Sequence, residues 1–140
     1  MTKMNSEQME RFLVTPRLGM LSTLAGDGAP VTVPVWFEWD GATARLFAAV
    51  NSGKIRRIER DPRASLVATN AVGEPESWVA FDGDAVITTE GAADLAERLA
   101  HRYWDMTDEA HVATVKSWHE AAAFLRIVSI TPSRVRTSIG

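Results

Sequence analysis

Apolar and polar positions alternate without a break from Val31 to Trp39. Val31, Val33, Val35, Phe37 and Trp39 share one parity; Thr32, Pro34, Trp36 and Glu38 share the other. A period of two puts the two sets on opposite faces of a strand. Pro34 has no N–H to give a ladder, so this strand has an edge or a bulge there. Further strands are predicted at Gly19–Leu24, Ala44–Val50, Ala64–Thr69, Trp78–Thr89 and Phe124–Ile130, with a short last one near Val135. Ala25-Gly26-Asp27-Gly28 and Asp40-Gly41 read as the turns between the first strands. Gly83, between two aspartates, marks a bend or bulge in the long strand, whose core face is Val79, Phe81, Ala85 and Ile87.

Four segments have the helical period instead. Asn5 or Ser6 caps the first, which carries Met9, Phe12 and Leu13 and stops at Thr15-Pro16. Ser52 opens a short helix, Gly53–Arg60, and Asp61-Pro62 ends it. Leu95, Leu99 and Tyr103 form the stripe of a helix near Ala92–Trp104. Val112, Val115 and Trp118 form that of Asp108–Glu120, with Thr107 as a cap. Many antiparallel strands with appended helices predict a mainly β fold, a barrel with peripheral helices, in a single domain spanning 1–140. Strands and helices do not alternate, and no G-x-G-x-x-G or Walker pattern occurs, so a doubly wound nucleotide fold is not expected.

Charge changes this picture at one place. The chain has a net charge of −3, yet Lys54, Arg56, Arg57, Arg60 and Arg63 crowd into the short helix and its exit. The whole molecule has no general attraction for nucleic acid, so the cluster needs a local partner. A helix N-terminus already favours an anion through its free N–H groups and dipole. Ser52 and Gly53 leave such groups accessible, Lys54 supplies a compact charge, and Arg57 adds a forked donor on the same face. The competing reading is a solvated helix with surface ion pairs of little worth.

A flat apolar wall stands beside this turn in sequence. The strand around Val33, Pro34, Val35 and Trp36 offers both ring contact and backbone groups, and the small Ala48, Ala49 and Ala68 leave room. Val33, Val35 and Phe37 fit the barrel core; Pro34, Trp36 and Trp78 point to an interface or a ligand. Five tryptophans are many for 140 residues, and a core of this size cannot take them all. His101, His111 and His119 do not form a ligand pair one turn apart, and no metal site is expected. No serine sits in a nucleophile-elbow pattern. The absence of cysteine fits a reducing cytoplasm. No apolar signal core or bilayer-length stretch is present, so no membrane association is expected.

Assembled in order, these segments resemble the pyridoxamine 5′-phosphate oxidase-like split β-barrel family. GMLSTLAGDGAPVTVPVWFEWDG is similar to its first hairpin, and SGKIRRIERDPRASLVA to its phosphate-binding turn, helix and next strand. WVAFDGDAVI resembles the strand before its helices, and RIVSITPSRVRTS its closing strands. Within the family the chain looks most like the small actinobacterial flavin- or deazaflavin-dependent oxidoreductases. The resemblance implies a homodimer with cofactors between subunits, Lys54, Ser52 and Arg57 on the cofactor phosphate, and Val33–Trp36 behind the ring. Asn51, Arg60 and Trp78 complete the set of candidate cofactor-binding residues; no catalytic residue is assigned. Where the family often has asparagine-leucine, Arg57-Ile58 stand here. The implied cofactor is coenzyme F420, whose anionic tail suits Arg56, Arg60 and Arg63, with FMN as the alternative. The implied activity is hydride transfer between that cofactor and an unsaturated small molecule. A pyridoxamine-phosphate-oxidase-like FMN enzyme and a non-catalytic cofactor carrier are the alternatives, and a docking face without cofactor is a third.

Overall fold

The computed structural model describes residues 2–140. Along the chain run α1 (Ser6–Val14), β1 (Gly19–Leu24), β2 (Pro30–Val35), β3 (Glu38–Trp39), β4 (Ala44–Ala49), α2 (Gly53–Arg60), β5 (Arg63–Thr69) and β6 (Ser77–Thr88). They are followed by α3 (Ala92–Tyr103), α4 (Glu109–Glu120), a 3-10 turn at Ala122–Phe124, β7 (Leu125–Ile130) and β8 (Arg134–Ile139). Asn5, not Ser6, caps α1: its side chain accepts from the Gln8 N–H, and the Gln8 side chain accepts from the Asn5 N–H.

The strands pair antiparallel in the order β2-β1-β5-β6-β7-β4-β3, and β8 adds to β6. β2 is therefore an edge strand, which is how Pro34 is accommodated opposite Met20. β6 belongs to both halves of the curled sheet. Ser77–Asp82 pair with β8, whereas Ala85–Thr88 pair with β7. Gly83 sits where the partner changes. Its pairing to Ala64 of β5 is continuous, so no bulge interrupts that side. The glycine is required by crowding instead: a Cβ there would stand 3.0 Å from the Thr131 carbonyl oxygen and 3.2 Å from the Pro132 Cα.

The long strand expected over Val31–Trp39 is two strands. Trp36 and Phe37 leave the ladder, because the backbone there bonds to a helix. The Phe37 N–H donates to the Tyr103 hydroxyl at 3.3 Å, and that hydroxyl donates to the Arg17 carbonyl at 2.6 Å. The alternation still predicts the faces: Val35 and Phe37 are buried, and Trp39 stacks on Phe81 with centroids 4.4 Å apart.

Leu21, Leu46, Leu66, Phe81, Val128 and Ile130 form the barrel core and reach no solvent. Ile55 and Ile58 of α2 join it. Each such burial is worth about 1.5–3 kcal/mol. With those two side chains inward, the cations of α2 are left at the rim. Leu95 and Leu99 bury α3 against the β4–β7 side. α4 is held less firmly. Val115 is its one buried residue, Trp118 is half-buried, and Val112, expected in the stripe, is exposed. Its cap is Asp108, which accepts from the Ala110 N–H, because Thr107 is committed to the Asp105 carboxylate. Phe124 lies in the 3-10 turn and is exposed rather than opening β7. Among the described residues, no helix is long and apolar enough to cross a membrane.

Candidate functional site

The N-terminus of α2 carries the first half of the site. Ser52 occupies the N-cap position, but its side chain makes no cap bond. Its Oγ is buried and has no partner. A buried hydroxyl in that state is costly unless something else completes it. Gly53 follows. A Cβ on it would stand 2.8 Å from Nη1 of Arg57, so the guanidinium occupies the space a side chain would need. Arg57 is itself anchored through Nε, which donates to Thr23 Oγ1 at 2.7 Å. Partial burial first, and the neighbouring Arg57 second, push the Lys54 ammonium down from the ordinary lysine value of 10.5. An anion placed here would relieve both penalties. Among the described residues, Lys54, Arg56, Arg57 and Arg60 have no carboxylate partner. Arg63 does: it binds Asp61 through two N–H groups and is no part of the set. Arg56 donates to the Asn51 carbonyl, and Arg60 lies against Gly26.

The second half is a cavity of about 470 Å³ whose walls are mostly apolar. Pro34, Val35 and Trp36 form one side, Phe47 and Trp118 another, and Lys54 is the charged group on its lining. Ala48 and Ala49 leave the floor open, and Leu18 stands at the rim. The volume lies within the ordinary range for a small-molecule site. Trp36 is held rigid by its neighbours. It stacks on Tyr103 at 5.3 Å with planes 3° apart and meets the Trp104 ring edge-on at 4.7 Å. Trp118 stacks on Trp104 at 5.7 Å and tilts against Phe47 at 5.1 Å. The break between β2 and β3, the end of α3 and the last turn of α4 thus meet in one aromatic cluster. Three of the five tryptophans are spent on it.

The structure brings Pro34, Val35, Trp36 and Lys54 to the cavity, with Ser52 and Arg57 beside Lys54 on α2. Ser52 and Arg57 adjoin Lys54 without lining the cavity, and four more predicted residues lie away from it. Val33 packs on the barrel core, Asn51 contributes its carbonyl to Arg56, and Arg60 lies by Gly26. Trp78 faces Arg136, whose guanidinium sits 5.9 Å from its ring. β6 pairs with β5 and β8 at that point, which takes the ring to a different part of the sheet. Leu18 and Phe47 were missed. Phe47 belongs to the outward parity of β4, and that parity was the available signal.

A larger concavity, about 620 Å³, lies between α1 and the β3–β4 turn. Its polar groups are mostly engaged. Glu38 binds Arg98, Asp40 binds Arg45, and Arg102 donates to the carbonyls of Leu13 and Thr15 at the end of α1. Arg102 Nε is buried there without a partner, and Trp39 is the one aromatic ring on the lining. Among the described residues, no three His, Asp or Glu side chains converge on a metal-sized point.

Two half-sheets joined through one shared strand, with the helices outside, define a split β-barrel. The chain belongs to the pyridoxamine 5′-phosphate oxidase family, whose model matches residues 6–138. Solved structures of the same fold include an F420 reductase, 23% identical, with 90% of this chain and 94% of that one covered and a TM-score of 0.72. A conserved hypothetical protein of Mycobacterium tuberculosis is 23% identical over 97% of this chain and 85% of its own, with a TM-score of 0.78. General stress protein 26 of Bacillus anthracis is 18% identical, with coverages of 92% and 89% and a TM-score of 0.65. No curated protein matches the sequence.

Proposed function

We propose that the protein is an oxidoreductase that binds a phosphorylated tricyclic cofactor, F420 in the first place and FMN as the alternative. One observation carries this reading: the charged group lining an aromatic, apolar cavity is a partly buried lysine at the start of a cationic helix. A planar ring with a phosphate tether matches both parts. Lys54, the Arg57 guanidinium, the Ser52 hydroxyl and the first N–H groups of α2 would hold the phosphate. Trp36, Pro34 and Val35 would back the ring. Such a cofactor, when bound and reduced, supplies the hydride.

The contribution of the chain is then position and dryness rather than covalent catalysis. The cavity lining holds no carboxylate or imidazole. A proton for the product would come from water. The acceptor class is a flat, weakly polar, unsaturated molecule, because the remaining wall is Phe47 and Trp118. F420 is preferred because Arg56 and Arg60 have no carboxylate partner and could meet an anionic tail, and because a structural neighbour is an F420 reductase. The site is read as shared between two copies: Leu18 and Pro34 stand at its open side, and both are exposed.

Titration with F420 and with FMN tests the cofactor. Lys54→Ala should weaken the bound one by roughly 10- to 100-fold, the worth of one charge-assisted contact. Unchanged affinity removes the phosphate assignment. Stopped-flow oxidation of the reduced complex by enones and quinones separates an enzyme from a carrier: tight binding with no acceptor-dependent rate identifies the carrier.

A further inference from the structure

Thr23 is a hydroxyl in a row that has no other use for one. It lies on the inward parity of β1 with Gly19 and Leu21, is 1% exposed, and is buried among core side chains beneath α2. Valine has nearly the same shape and would suit that row better. The hydroxyl has one partner, and that partner is Arg57 Nε, at 2.7 Å. A guanidinium fixed at Nε keeps both terminal nitrogens free for an oxyanion, which is the bidentate end of the fork. Gly53 sets the second constraint, since Nη1 lies where its Cβ would be. Held from β1 on one side and admitted by α2 on the other, the fork stands over the helix N-terminus beside Lys54 and the unpartnered Ser52 Oγ.

We propose that Thr23 is a positioning residue for the anion site, holding the Arg57 guanidinium so that its two terminal nitrogens face the cofactor phosphate. This rests on the cofactor reading above. Thr23 touches the anion only through Arg57. Its loss therefore leaves the ring wall intact and removes discrimination between phosphorylated and unphosphorylated forms of one ring.

The test compares two ligand pairs by fluorescence titration: FMN with riboflavin, which differ in the phosphate alone and decide the outcome, and F420 with its deazaflavin riboside, which differ in the anionic tail as well. The readout is the affinity ratio within a pair, which a general loss of stability would not move. Wild type should prefer the phosphorylated member. Thr23→Val should lower that ratio about tenfold, and Thr23→Ser should restore it. Thr23→Val added to Arg57→Ala should cost nothing further, because the hydroxyl acts through that one side chain. Thr23→Ala supplies the same comparison should valine unfold the chain, with thermal melting as the check. Equal weakening of both pair members, or additive effects of the two substitutions, overturns the role of Thr23. A wild-type preference that survives Thr23→Val removes Thr23 alone. No preference in wild type removes the anion reading of α2 and Thr23 with it.

Discussion

At the scale of single residues, Lys54 connects the electrostatics to a measurable pH dependence. Burial and Arg57 lower its proton affinity in the free protein. A bound phosphate raises it again, so the complex holds a proton that the free protein releases first. Affinity for FMN should therefore be flat from about pH 7, where its phosphate monoester is mostly doubly ionised, up to the depressed lysine value. It should then fall as pH rises through that value. Lys54→Met should flatten the alkaline limb, and calorimetry across the pH range checks it. An alkaline limb that persists in that variant assigns the titration elsewhere. Lys54 and Trp36 were legible in the sequence because each breaks its local pattern: a cation at a helix start, and a large ring on the polar parity of a strand. Leu18 and Phe47 break nothing locally. Phe47 becomes a wall because Trp118, far along the chain, is laid against it by α4.

At the scale of elements, local signals predicted existence better than attachment. Ser52 as opener and Asp61-Pro62 as stop placed α2 to the residue, although the Ser52 side chain makes no cap bond. The break at Trp36–Phe37 was invisible, since alternation continues through it and its cause is the Tyr103 hydroxyl on another element. In α4 the helical period was right, but it treated Val112, Val115 and Trp118 as equals. One of these is buried, one exposed, and one shared with the cavity. α4 is tied to α3 through the contact of His119 with Glu97 at 2.6 Å and through the Trp104–Trp118 stack. With so little buried apolar surface it should open at lower cost than α3. Hydrogen exchange should show α4 amides exchanging before those of α3, and bound cofactor should slow α4 most. Equal protection of the two helices without ligand rejects this account.

At the scale of the whole molecule, the sheet order could not be read from the sequence. β4 pairs with β7, and β6 with β8, across long stretches of chain. The same closure leaves an apolar margin next to the cavity. Leu18 is 54% exposed and Met20 38%, and Met20 pairs across the strands with Pro34. A second copy covering that margin would also close the cavity. Leu18→Glu with Met20→Glu should shift the mass in light scattering from two chains to one and weaken cofactor binding in parallel. A wild-type protein that is already one chain at cofactor-saturating concentration would sink the shared-site reading.

β6 has one further consequence. It is the single seam stitched to β5, β7 and β8, so neither half of the barrel can peel away while it stays in place. Loosening should begin at the rims, at β2 and β3, and reach the centre only when everything lets go together. The amide protons around Val79–Phe81 should accordingly be the last to be lost to heavy water, at a rate set by the full cost of unfolding.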